Sequence, residues 1–213
     1  MRSSALVLSA ATGLVSAHFQ LTYPTWRADT LADNTTFDQW SYPCAGVPYG
    51  TGNKTEWPLS GEGASVALDL HHPWSYVYIN LGLGDNATNF NISLTPELLN
   101  VTGKGEFCLT NLPLPGDITD GQNATIQVVT GGQSGSALYN CADIVFRSSA
   151  QSPSSEVCTN STGVTATVVG QTATDSSATP EPTPNSAPSG TFRLPSRATS
   201  WGVAIALILG VIM

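Results

Sequence analysis

Positive charge is scarce in this chain: lysine and arginine supply 7 of its 213 residues against 15 aspartates and glutamates, a net charge of −8. So acidic a polypeptide is repelled by phosphate backbones, which excludes nucleic acid as a partner. Histidine is scarcer still, at 3 residues, and cysteine stops at 4. No two cysteines lie close together in sequence, so the paired spacing of a structural zinc site is missing. A glycine-rich phosphate loop, an internal repeat and the alternation of strands with long helices that builds a parallel sheet are also missing.

Long apolar runs occur only at the two ends. Residues 1–17 (MRSSALVLSAATGLVSA) carry one cation at Arg2, an apolar stretch from Ala5 to Val15, and a small-residue cleavage site at Val15-Ser16-Ala17. That is the pattern of a secretory signal, with an apolar run too short to span a bilayer. Cleavage after Ala17 makes His18 the first residue of the mature protein. Residues 201–213 (WGVAIALILGVIM) are apolar throughout. A glycosylphosphatidylinositol (GPI) signal needs such a tail behind a polar spacer of about 8–12 residues and small residues at the attachment site. Ser189 fits that spacing, with Asn185 as the alternative.

Ahead of that tail the composition shifts to Ser, Thr, Pro and Ala, and TPEPTPNSAPSG cannot bury enough apolar surface to order itself. The chain therefore divides into a signal peptide (1–17), one folded domain (18–160), a Ser/Thr/Pro-rich disordered stalk (161–189) and a GPI signal (190–213). The expected location is the extracellular face of the plasma membrane, with the cell wall as the alternative.

Within the domain four cations, Arg27, Lys54, Lys104 and Arg147, face thirteen acidic residues. All four cysteines lie after the signal, and an even count in an exported chain implies two disulfides. Three connectivities are open; the favoured one joins Cys108 to Cys141 and Cys44 to Cys158, closing the start of the domain onto the start of the stalk. Asn34, Asn53, Asn86, Asn91, Asn100, Asn123 and Asn160 each open an N-x-Ser/Thr sequon and are candidate N-glycosylation sites on exposed turns.

Residues 63–70 (GASVALDL) set Val66, Leu68 and Leu70 on one side and Ala67 and Asp69 on the other, the period of a half-buried strand. Similar segments recur at 76–81, 89–94, 105–109, 124–129 and 137–146, separated by Gly, Pro and Asn. The expected fold is all-β, an antiparallel β-sandwich of immunoglobulin-like or Greek-key topology. Only residues 95–100 are suited to a helical turn.

The histidines carry the chemistry. An N-terminal histidine offers two nitrogens to one metal ion, its free α-amine and its imidazole, and the amine loses its proton readily enough for a metal to displace it near neutral pH. An internal histidine cannot do this. A second imidazole makes three nitrogens, a set suited to tetragonal copper(II). The candidates are His72, preferred because it directly precedes Pro73 where the strand must end, and His71, which shares a face with Asp69. Asp143 is the best-placed oxygen candidate, since a carboxylate in an otherwise apolar strand must be paired, hydrogen-bonded or metal-bound.

The strings HFQLTYPTWR, YPCAGV, WPLSGEG, HHPWSYVYINLGLG, GEFCLTNLPLP and ALYNCADIVF, in that order, resemble the fungal copper-binding proteins related to lytic polysaccharide monooxygenases, the copper acquisition factor BIM-type domain. The resemblance covers essentially all of residues 18–158. It implies a β-sandwich with a histidine brace formed by the mature N-terminal histidine and a second histidine, plus an aspartate ligand. Carried over, these are His18, His72 or its neighbour His71, and Asp143. It further implies one copper(II) ion per domain and a non-catalytic role. The related enzymes put a tyrosine or phenylalanine beside the metal, whereas a carboxylate there stabilises copper(II) and fills a position oxygen would need. The expectation is thus a monomeric copper holder at the fungal cell surface, passing copper to a membrane copper transporter. A monooxygenase acting on wall polysaccharide and a structural wall glycoprotein are the alternatives.

Overall fold

Alternation of apolar and polar residues decides which segments become strands, and every regular element among the described residues is one. The computed structural model describes residues 18–170 except 61, 133 and 134. The signal peptide, the GPI tail with Ser189 and Asn185, and most of the expected stalk lie outside the described residues. The strands are β1 (Phe19–Tyr23), β2 (Thr55–Pro58), β3 (Val66–Leu70), β4 (Trp74–Leu83), β5 (Ile92–Ser93), β6 (Leu99–Thr102), β7 (Gly105–Leu109), β8 (Asn123–Gly131), β9 (Ala137–Arg147) and β10 (Thr165–Val168). They form a small sheet, β1-β3-β7, and a large one, β10-β6-β4-β8-β9-β2, with β5 also paired to β4.

The core lies between the sheets. Phe19 and Leu21 of β1 stand opposite Leu70 and Leu68 of β3, all buried. From the large sheet Val77, Ile79, Leu81, Ile126, Val128, Leu138, Ala142, Ile144 and Phe146 point inward and are fully buried. Each large apolar side chain so buried stabilises the fold by about 1.5–3 kcal/mol relative to exposure. On β4 the intervening Trp74, Tyr76 and Tyr78 face outward, so one strand shows both halves of the period-two pattern.

Strand β9 departs from alternation, because residues 140 to 144 are buried on both faces. The cause is the long connection from β1 to β2, which lies over the outer face of β8 and β9. The Arg27 amide donates to the Cys141 carbonyl at 2.9 Å, Cys44 is bonded to Cys141, and the Gln127 side-chain amide donates to the Pro43 carbonyl at 2.9 Å. Beneath the connection Arg27 and Asp143 form a buried ion pair, with Nη2 to Oδ1 at 2.7 Å and Nε to Oδ1 and Oδ2 at 3.0 and 3.1 Å. The Thr125 hydroxyl and the Gly50 amide donate to the same carboxylate at 2.8 and 3.1 Å. Both charges are therefore paired and hydrogen-bonded, the condition under which ions are tolerated in an interior.

Three expectations change. The disulfides are Cys44–Cys141 and Cys108–Cys158, so the favoured pairs, Cys108 with Cys141 and Cys44 with Cys158, are not formed. Cys108 faces out of the small sheet and Cys141 out of the large one, with the core between them, and each binds the segment covering its own sheet. Residues 95–100 form no helical turn: their last two begin β6, which pairs with β4. The domain runs past residue 160, because β10 pairs antiparallel with β6 over Thr165–Val168. The turn before it packs so closely on Gly103, where φ is +104°, that a Cβ would lie 2.6 Å from the Gly163 carbonyl oxygen. The expected all-β fold of antiparallel sheets holds, with β2 joined to β9 in parallel as the exception among the described strands.

Removing one member of a buried ion pair leaves the other charge uncompensated. Arg27→Met and Asp143→Leu should each lower the unfolding free energy by about 3–5 kcal/mol in urea titrations. The double substitution should recover much of that loss; strictly additive losses would show that the two side chains do not act as a pair.

Candidate metal centre

His18 and His71 meet because β1 and β3 pair in register. Phe19 stands opposite Leu70, and one residue further out the His71 amide donates to the His18 carbonyl at 3.2 Å. Phe19 and Leu70 point into the core, so period two turns His18 and His71 together onto the outer face of the small sheet. His18 is half-buried and His71 exposed. The His71 Nε2 lies 3.3 Å from Asp69 Oδ2, two residues back on the same face. Such a contact fixes the ring and leaves Nδ1 as its free nitrogen.

His72 takes the opposite direction. It is 5 % exposed, its Nδ1 lies 2.5 Å from the Trp74 carbonyl oxygen, and its ring meets Trp74 edge to face at 5.9 Å. The residue across from His18 is thus His71, the alternative to the preferred His72, and His72 is turned away and buried.

Asp143 does not join them, which corrects its expected role as the oxygen ligand. It points out of β9 on the far side of the large sheet, its carboxylate already filled by Arg27, Thr125 and Gly50. The carboxylate whose charge reaches His18 belongs to Asp38. Asp38 rides on the β1–β2 connection, is exposed, and accepts the Trp40 amide on Oδ1 at 3.0 Å, closing a tight side-chain turn. Trp40 lies edge-on to the His18 ring at 6.2 Å and is 45 % exposed.

Between them Gln39 clamps the start of β1. Its Nε2 donates to the Phe19 carbonyl at 2.8 Å and its Oε1 accepts the Phe19 amide at 3.3 Å, as a neighbouring strand would. The Tyr139 amide donates to the Gln39 carbonyl at 2.7 Å, and Asn140 Nδ2 donates to the Phe19 carbonyl at 3.1 Å. Asp38, Gln39 and Trp40 are invisible to strand periodicity because they lie in a loop. Their nearest sequence signal is the short spacing to Cys44, and it becomes useful only when Cys44 is known to pair with Cys141.

Burial pushes the His18 imidazole below its usual pKa, His71 nearby pushes the same way, and the Asp38 carboxylate pulls it back up. A neutral ring keeps a lone pair for a metal at neutral pH. Among the described residues no group of three His, Cys, Asp or Glu side chains forms a ready cage. A brace does not require one: two imidazoles and a terminal amine supply three nitrogens, and in the uncleaved chain the His18 nitrogen is still an amide. His18, His71 and Asp38 carry the nitrogen and oxygen atoms that copper(II) favours.

The all-β sandwich with its two disulfides resembles the fold of lytic polysaccharide monooxygenase-like proteins. The chain belongs to the family of copper acquisition factor BIM1-like domains, whose model matches residues 16–163. It is 37 % identical over 163 residues to the lytic polysaccharide monooxygenase-like protein ham-7 of Neurospora crassa, covering 68 % of this chain and 71 % of that one. It is 39 % identical over 164 residues to the lytic polysaccharide monooxygenase-like protein X325 of Hypocrea jecorina, with coverage of 68 % and 70 %. An uncharacterized protein of Aspergillus fumigatus is 41 % identical over 175 residues, with coverage of 78 % and 68 %. The family membership supports a copper-related function.

In an NMR titration of the metal-free protein, the His18 ring should be half-protonated below the usual imidazole pH. A histidine whose folded pKa is depressed resists protonation, so its contribution opposes folding as pH falls below the ordinary value and vanishes above it. Asp38→Asn removes the charge that pulls the pKa up and should move the His18 midpoint lower; a midpoint unchanged by this substitution would separate Asp38 from the site.

Proposed function

We propose that this protein binds one copper(II) ion on the outer face of its small sheet through the His18 amine and imidazole, the His71 imidazole and the Asp38 carboxylate. In this reading it is a non-catalytic, monomeric copper holder, GPI-anchored at the fungal cell surface, that supplies a membrane copper transporter. The observation that carries the reading is the direct opposition of His18 and His71 at the open ends of β1 and β3. The BIM1-like family match supports copper as the metal.

The carboxylate distinguishes holding copper from using it. Its negative charge favours copper(II) over copper(I) and so works against the reduction an oxygenase needs. Asp38 takes the part expected of Asp143, while the latter holds the loop that carries it. A monooxygenase acting on wall polysaccharide is the second reading, and the names of the relatives support it.

Copper(II) affinity should fall sharply when one extra residue precedes His18, because the amine is then an amide; equal affinity would sink the brace. His71→Ala should cost more than the roughly 10- to 100-fold that loss of an outer-shell partner costs, and His72→Ala less than that. Electron paramagnetic resonance of the copper-loaded protein should change with Asp38→Asn. Copper should also quench Trp40, so Trp40→Phe should remove most of the fluorescence response. With reductant, peroxide and chitin or glucan the loaded protein should release no oxidised oligosaccharides; their appearance would favour the second reading.

A further inference from the structure

Trp74, Tyr76 and Tyr78 form a row on the outer face of β4, alternating with buried residues. Trp74 and Tyr76 meet edge to face at 5.3 Å, and Tyr78 is 39 % exposed. The Tyr76 ring is flanked on one side by Gly131, its partner on β8. A Cβ placed on Gly131 would meet nothing nearer than Tyr76 Cβ at 4.0 Å, so that flank is open.

On the other flank stands Asn100, the register partner of Tyr76 on β6. Val101 beside it is fully buried, so Asn100 and Thr102 point outward onto the same face as the aromatic row. Asn100, Val101 and Thr102 make a sequon. The Asn100 Oδ1 is buried without a hydrogen-bond partner, so no side-chain bond to that oxygen locks the amide in place. Opposed residues of an antiparallel pair hold their Cβ atoms about 4.5–5.5 Å apart. A sugar on Asn100 Nδ2 therefore begins within reach of the Tyr76 ring, whose electron-rich face attracts the C–H edge of a pyranose.

We propose that the first N-acetylglucosamine of a glycan on Asn100 packs across Tyr76 and Trp74 and covers this stripe. The link forms when Asn100 Nδ2 displaces the lipid pyrophosphate as one leaving group from C1 of a lipid-linked oligosaccharide, giving up one proton as the N–C bond replaces the C–O bond. The inference rests on export through the secretory pathway and is independent of copper. Asn86, by contrast, is on an exposed turn at φ 49°.

The full chain made in a fungal host tests it. Glycopeptide mass spectrometry should find Asn100 occupied. Asn100→Gln and Tyr76→Ser should each lower the melting temperature by about 2–4 °C, and the double substitution should lower it no further than the larger single effect. Trimming the glycan to its first sugar should leave the melting temperature unchanged. Tyr76→Leu, which keeps the bulk but removes the ring face, should behave as Tyr76→Ser does. Asn86→Gln should be additive with either. An unoccupied Asn100, additive losses for Asn100 and Tyr76, or binding of soluble chitin or glucan oligomers at Trp74 in the glycosylated protein would overturn the proposal. Copper affinity should be the same in all these variants, which keeps the result separate from the fate of the metal site.

Discussion

The ion pair between Arg27 and Asp143 fixes the long connection on which the rest of the molecule depends. An arginine and a carboxylate taken out of water hold together only if their remaining hydrogen-bonding capacity is met. Here Thr125 and Gly50 complete the carboxylate, while the guanidinium also reaches the Val47 carbonyl at 3.1 Å. The result is a rigid point from which the chain runs through Cys44 and back to Gln39. Without it the outer face of β8 and β9 would be exposed, and Asp38 and Trp40 would have no fixed place beside His18.

Two scaffolds thus converge on one histidine. Strand pairing aims His18 and His71 in the same direction, and the clamp by Gln39 holds the first strand at an edge where a terminal residue would otherwise fray. The loop then brings a carboxylate and an aromatic ring from the other side. Because the donors come from different parts of the chain, the proposed site depends on the whole domain, and any change that loosens the loop acts on it from a distance.

Much of the sandwich is legible in the sequence, because period two at 63–70 or 137–146 leaves little choice of face. The paired histidines are legible too, through their rarity and the cleavage expected before His18. What periodicity cannot report is which strands become neighbours. His71 opposite His18, rather than His72, follows from the register of β1 on β3, and a shift of one residue would have reversed the answer. Asp143 misleads for a related reason: a buried carboxylate needs a partner, and Arg27, 116 residues away, is as good a partner as a metal. The disulfides depend on which loop covers which sheet, and spacing does not encode that. Strands as short and exposed as β10 carry almost no apolar signal at all.

That last strand has a mechanical consequence. β10 starts beside Thr102, at the end of the sandwich where Trp74 and the histidines lie, and runs toward Leu99, away from them. A force drawing Val168 onward along the strand would load the hydrogen bonds between β10 and β6 in shear. The described chain thus leaves its last strand at the end of the sandwich opposite the histidines.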